Sequence, residues 1–376
     1  MIRQLTLQLL ITLAVGSLPF HGSLNGPDIS VGGGFLVSPA VAQSISSTND
    51  TAADETTLLE QCDTAQRSIT LLAWSQTDFN RCTVRLDEII SGGPGKDGIP
   101  SIDNPMIIAA DRAGDLTPEE PVISLSINGE ARAWPLRYLI WHEIVNDELG
   151  GVPIAVTYCP LCNATLVFDR RLDGQVLDFG TTGNLRKSDL VMYDRQTESW
   201  WQQYTGTGII GTHAGRSLTV LASRLESWQQ FSLRHPGGST MIPAEPFQRP
   251  YGINPYQGYD TSSFPFLYDG EVPEGIRPLD YVVVTGGKAW SLKLMQEKRI
   301  IRDQGTTIEW QPGQRSALDT RMLADGRDIG MVTVTRDGAD IPYEVTFAFV
   351  FHAFTPDGEI IKQYQPVQDR IHIIVI

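Results

Sequence analysis

Short runs rich in Val, Ile, Thr and Tyr, punctuated by glycine and proline, recur along the chain and predict strands joined by many turns. Val122 to Ile127 reads as a strand, Asn128-Gly129 as a hairpin turn and Glu130 to Trp134 as the returning strand. Pro135 can open a helix, because the first helical position has no use for an N–H, and Leu136, Leu139, Ile140, Glu143 and Ile144 follow helical spacing. Asn146-Asp147 and Gly150-Gly151 are expected to end that helix, with His142 off its apolar stripe. Ile154 to Tyr158 and Thr165 to Phe168 read as strands flanking Cys159-Pro160-Leu161-Cys162. Leu190 to Tyr193 and Ser199 to Tyr204 form a hairpin-like pair, Ser227 to Arg234 reads as a helix, and Ser91 to Pro105 as an approach loop.

The pattern repeats. Ala133-Trp134-Pro135-Leu136, an amphipathic run and Tyr158-Cys159-Pro160-Leu161-Cys162 are echoed by Ala289-Trp290-Ser291-Leu292, a similar run and Trp310-Gln311-Pro312-Gly313-Gln314. In this alignment Cys159 falls on Gln311, Cys162 on Gln314, His142 on Lys298 and His235 on Thr355. Frame residues persist while two cysteines and two histidines vanish together, which suggests that the four work as one set. The expected fold is α+β, mainly β: a degenerate tandem repeat of a β-rich unit with a few short helices. Its parts are a signal peptide over 1–42, a leader over 43–84, a first repeat over 85–236 that carries the site, a Pro/Gly/Tyr-rich connecting wrap over 237–280 and a second repeat over 281–376. The second repeat has no counterpart of the Ser188 to Gly206 block.

Charge narrows the partners. The chain of 376 residues has a formal net charge of −15, which opposes nucleic-acid and anionic-lipid surfaces, and no basic patch offsets it. Arg3, the apolar Leu5 to Leu18 and Ala40-Val41-Ala42 before Gln43 read as an export signal, so a periplasmic or secreted location is expected. No later segment has the length of a transmembrane span. Any redox or metal-delivery partner would then belong to the exported compartment.

Export changes how the four cysteines read. Cys62 and Cys82 are natural disulfide partners in an oxidising compartment, whereas Cys159 and Cys162 are too close in sequence to staple a useful loop. A Cys-Pro-Leu-Cys turn supports two chemistries. As thiolates the pair chelates a soft or borderline metal; as a dithiol it cycles to a disulfide, with Cys159 attacking and Cys162 resolving. With His142 and His235 the pair makes a Cys2His2 set suited to zinc; thiolates aided by Met192 would select monovalent copper. Against redox exchange, Asn163 to Asp169 looks like a strand, and a following helix is a main source of thiolate stabilisation. A third reading is a ligand- or partner-binding module. Its pocket would be lined by Ser188, Asp189, Met192, Asp194, Arg195, Trp200 and Trp201, with the cysteines only bracing the fold.

Three blocks carry a family resemblance. They are Ser91-Gly92-Gly93-Pro94 with Lys96-Asp97-Gly98-Ile99-Pro100 and Ile102-Asp103-Asn104-Pro105; Thr157 to Cys162 with Val167-Phe168-Asp169-Arg170; and Ser188 to Tyr193 with Asp194 to Ser199. From about Arg85 to Asp280 the chain resembles the exported-protein family catalogued as domain of unknown function 3179. The resemblance implies that the cysteine turn and the Ser188 to Trp201 block are family hallmarks, and it carries no activity with it.

Overall fold

The computed structural model describes Cys62, residues 73–243 and residues 249–363, all within a compact unit spanning 51–376. The expected export signal lies outside the described residues. Among the described residues the fold is mainly β with four short helices, and five small sheets form a ring that resembles a five-bladed β-propeller. No helix among the described residues is long and apolar enough to cross a membrane.

The repeat-like character is visible in the strand order. One sheet runs Arg224–Ser227, Pro121–Ile127, Glu130–Pro135, Ser239–Ile242 and Met106–Ala109. Another runs Glu344–Phe347, Tyr281–Thr285, Lys288–Ser291 and Glu359–Ile361. Four strands correspond one to one, including the parallel pairing of Ser239–Ile242 with Glu130–Pro135 and of Glu359–Ile361 with Lys288–Ser291. Helices occupy equivalent places: Leu136–His142 matches Leu292–Lys298, and Trp228–Arg234 matches Ala348–Phe354. The residue after the first helix of each unit is left-handed, Glu143 at φ 60° and Arg299 at φ 64°. Each of these two residues accepts, through its carbonyl, the amide of the residue before the turn, Tyr158 in one unit and Trp310 in the other, both at 2.8 Å. This fixes the pairing of Cys159 with Gln311.

Two sequence expectations need correcting. The first helix ends at His142, not at Asn146-Asp147, because Glu143 turns left-handed and the β-branched Ile144-Val145 begins a strand, Ile144–Leu149. Pro135 stands outside that helix, as the extended residue that caps it. Inside the expected wrap, Ser239–Ile242 is a strand of the first sheet.

Among the described residues, the sheet without a counterpart in the second unit (from residue 281 on) is Ile89–Ser91, Phe179–Arg186, Asp189–Asp194, Trp200–Gln202 and Thr207–Ile210. A small separate core of Trp74, Val84, Val191, Tyr193, Trp200 and Ile210 packs on one of its faces. The Cys62–Cys82 disulfide belongs to that core, with Cα atoms 5.7 Å apart. Closing a loop of this separation, 20 residues, contributes about 3 kcal/mol.

Candidate metal centre

Cys159 ends the Val152–Cys159 strand and Cys162 closes the turn into Ala164–Asp169. The turn is tight: the Cys162 amide donates to the Cys159 carbonyl at 3.2 Å, and Asn163 is left-handed at φ 49°. Both cysteines are free thiols, 1% and 0% exposed. The turn rests on the second unit. Thr346 Oγ1 donates to the Cys162 carbonyl at 2.7 Å, Asn163 Nδ2 to the Val345 carbonyl at 2.8 Å, and the Thr165 amide to Glu344 Oε2 at 3.0 Å.

The extra sheet brings the third group. Phe179–Arg186 and Asp189–Asp194 pair with Arg186 opposite Asp189, leaving Lys187 and Ser188 as a two-residue turn. Such turns favour Asn-Gly because both positions are left-handed. Here Lys187 and Ser188 stand at φ 55° and 65°, each at a cost on the order of 1 kcal/mol. The turn places the Ser188 carbonyl 3.5 Å from Cys162 Sγ and 3.9 Å from Cys159 Sγ, as acceptor for the thiols. Asp189 follows at once. Its carboxylate and the two sulfurs offer three ligand atoms that all lie within 4.8 Å of one another, with all three residues buried. Asp189 Oδ2 accepts from Gln202 Nε2 at 2.6 Å and from the Tyr204 amide at 2.9 Å, while Oδ1 has no hydrogen-bond partner.

A buried carboxylate oxygen without a partner is costly, and the local charge balance answers with protons. Burial pushes both thiols up, Cys162 well above the ordinary range. Burial likewise raises Asp189 to about 6. Glu143 rises to about 8, first through burial and then through Asp189, and Glu344 rises well above the carboxylate range for the same two reasons. Glu344 Oε1 also has no partner. At neutral pH the site holds protonated Glu143 and Glu344 around two neutral thiols, with Asp189 ionising from about pH 6.

The other residues expected at the site are placed elsewhere. His142 and His235 do not join the group that the cysteines form with Asp189. His142 is buried, with Nδ1 2.7 Å from the Pro100 carbonyl and Nε2 2.8 Å from the Tyr251 hydroxyl. Burial lowers its pKa, so it ties the opening block to the wrap as a neutral ring. His235 caps the end of the Trp228–Arg234 helix, its Nε2 2.8 Å from Arg234 and its ring against Phe231. A Cys2His2 set is therefore not what the fold assembles. Of the pocket set, Ser188 and Asp189 meet the cysteines. Met192 and both tryptophans are fully buried in cores, which leaves no open aromatic wall. Asp194 caps its own turn by accepting from Thr197 and Trp201, and Arg195 pairs with Asp103 at 2.7 Å.

Glu344 and Tyr259 carry no signal in the sequence, and Glu143 reads there only as a helical position. The one legible signal was Glu143, beside His142 at a helix end. Tyr259 donates to the Leu161 carbonyl inside the cysteine turn at 3.0 Å. Residues 96–358 match the model of the family described as Protein of unknown function (DUF3179), well past Asp280, where the sequence resemblance fades. No curated protein and no solved structure matches.

Proposed function

Because the chain belongs to the DUF3179 family, whose description carries no activity, we propose a function from the site itself: an exported protein that binds one metal ion through Cys159, Cys162 and Asp189. The observation that carries this reading is the buried Asp189 carboxylate, which meets two sulfurs within 4.8 Å and has no N–H or hydroxyl donor on Oδ1, so that the thiols are what it faces. A structural carboxylate would be satisfied by N–H donors on both oxygens. The third donor is a hard oxygen, which favours zinc over monovalent copper, a soft ion that thiolates alone would select. Three protein donors leave one position of a four-coordinate ion for water or a delivered ligand.

Export is part of the reading. It is supported by the apolar N-terminal stretch and by the Cys62–Cys82 disulfide, which persists in oxidising compartments. The degenerate repeat is part of it as well: the second unit keeps the frame and has glutamines where the cysteines stand. Thiol-disulfide exchange fits less well. A nucleophilic cysteine needs exposure and a lowered pKa, and this pair has burial and raised values.

The test is elemental analysis of protein purified from its own exported compartment without chelators, for wild type, Cys159→Ser/Cys162→Ser and Asp189→Asn. One zinc per chain in wild type, absent from the double cysteine variant and depleted in Asp189→Asn, is the expected result. Copper dependent on both cysteines and indifferent to Asp189 would replace zinc. No metal in any of the three would overturn the reading.

A further inference from the structure

Residues 263–276 run past the cysteine turn as a strap with little main-chain anchorage: its backbone hydrogen bonds are confined to tight turns at Phe266-Leu267 and Glu274-Gly275, and among the described residues none of its amides reaches a backbone carbonyl outside the strap. Side chains hold the strap instead. Ser188 Oγ donates to the Phe266 carbonyl at 2.6 Å, and the Phe266 amide donates to the Tyr259 hydroxyl at 3.3 Å. Both partners touch the site. Ser188 presents its carbonyl to the two thiols, and Tyr259 reaches the Leu161 carbonyl within the turn. The strap is pinned at Tyr268, whose ring is buried against Phe349, and is marginal around Phe266: Phe264 and Phe266 are 49% and 59% exposed, and Leu267 is left-handed at φ 52°. A pocket of about 430 Å³ adjoins it, lined by Lys187 next to Ser188 and by Leu267 next to Phe266. Asp269 and Glu271 of the strap also line this pocket.

Segments with exposed backbone and few main-chain hydrogen bonds open locally at far lower free energy than the fold as a whole. We propose that the strap is the gate of the cysteine site: parting Phe266 from Ser188 and Tyr259 joins the buried thiols to the adjoining pocket. What passes the gate, a hydrated divalent cation drawn by Asp269 and Glu271, rests on the metal reading. The gate itself does not.

Thiol modification separates the two. Cys62 and Cys82 are disulfide-bonded, so an aromatic disulfide reagent applied to chelator-treated native protein reports on Cys159 and Cys162 alone. The Ser188→Ala/Tyr259→Phe variant is expected to react about 30-fold faster than wild type, since two strap bonds of about 1 kcal/mol net each are lost. Equal rates, or reaction only as fast as global unfolding, would overturn the gate. If the variant folds poorly, hydrogen exchange on wild type decides: the Phe266 amide should exchange at least about 100-fold faster than that of Tyr158 in the core strand. Equal protection of the two amides counts against the gate. Added zinc should block modification in wild type; if it does not, the metal reading fails while the gate stands on the two rates.

Discussion

Thr346 and Cys162, 184 residues apart, are joined by a hydrogen bond of 2.7 Å from the threonine hydroxyl to the cysteine carbonyl. The second unit, which lacks the cysteines, therefore holds the turn that carries them. Thr346→Val leaves a buried carbonyl with one donor fewer and is expected to cost about 1–2 kcal/mol in urea unfolding. Zinc affinity should fall in the same variant, because the turn loses its seat. Unchanged unfolding and unchanged titration would show that the Phe347 amide, 3.3 Å from the same carbonyl, suffices.

Asp189→Asn separates binding from folding. The amide keeps an oxygen for Gln202 and Tyr204 but loses the anionic donor. Zinc affinity should fall by more than the roughly 10–100-fold that loss of an outer-shell partner causes. Metal-free protein should hold its stability or gain some above pH 6, where the buried carboxylate of wild type loses its proton. Competition titration and urea unfolding read the two effects.

The metal-free protein should weaken as pH rises. A glutamate in the unfolded chain loses its proton near pH 4.3, on the order of its model-peptide value, whereas folded Glu143 holds its proton to about 8. The folded state binds the extra proton across that window, so stability is greatest at its acid end and declines toward pH 8, by up to about 1.4 kcal/mol per pH unit from this residue. Glu344 pulls in the same direction. Unfolding free energies at pH 5 and pH 8 measure the slope, and Glu143→Gln should flatten it. An unaltered slope in that variant would assign the effect to other groups.

Removing the Cys62–Cys82 bridge with Cys62→Ser/Cys82→Ser should cost about 3 kcal/mol. The bridge belongs to the separate core against the sheet that carries Asp189, so metal stoichiometry should persist in the folded variant. Loss of metal together with retained fold would make the leader part of the site.

Gln311→Cys/Gln314→Cys rebuilds the cysteine turn in the second unit and should still yield one metal per chain. That unit has no counterpart of the Asp189 hairpin, and Asp328, the carboxylate at its turn, is already held by the Gly313, Gln314 and Gly330 amides. Two metals per chain would show that paired thiols are enough.

The repeat and most strands were legible because they rest on local period and on paired landmarks such as Trp134 and Trp290. The meeting of Asp189 with the cysteines was not, since Asp189 read only as a pocket residue. Asp189 lies in a different sheet from the cysteines and reaches them through a hairpin turn whose left-handed Lys187-Ser188 carries none of the usual Asn-Gly signal. His142 misled for the complementary reason. Its disappearance alongside the cysteines reads equally well as a lost tie to Pro100 and Tyr251, since Lys298, its counterpart, is exposed and has no such partner to serve.

The seat of the cysteine turn on Glu344–Phe347 also sets where the chain can change. In the second unit, positions such as Lys298 and Gln311 face outward or half outward and carry no duty toward the sulfurs. Glu344, Val345 and Thr346, which stand outside the group of Cys159, Cys162 and Asp189, carry the alignment of a turn in the other half of the molecule. Tolerance to substitution should thus run opposite to chemical kinship: the exposed Lys298 and half-exposed Gln311 are free to drift, while an unremarkable strand is the part that mutation can least disturb.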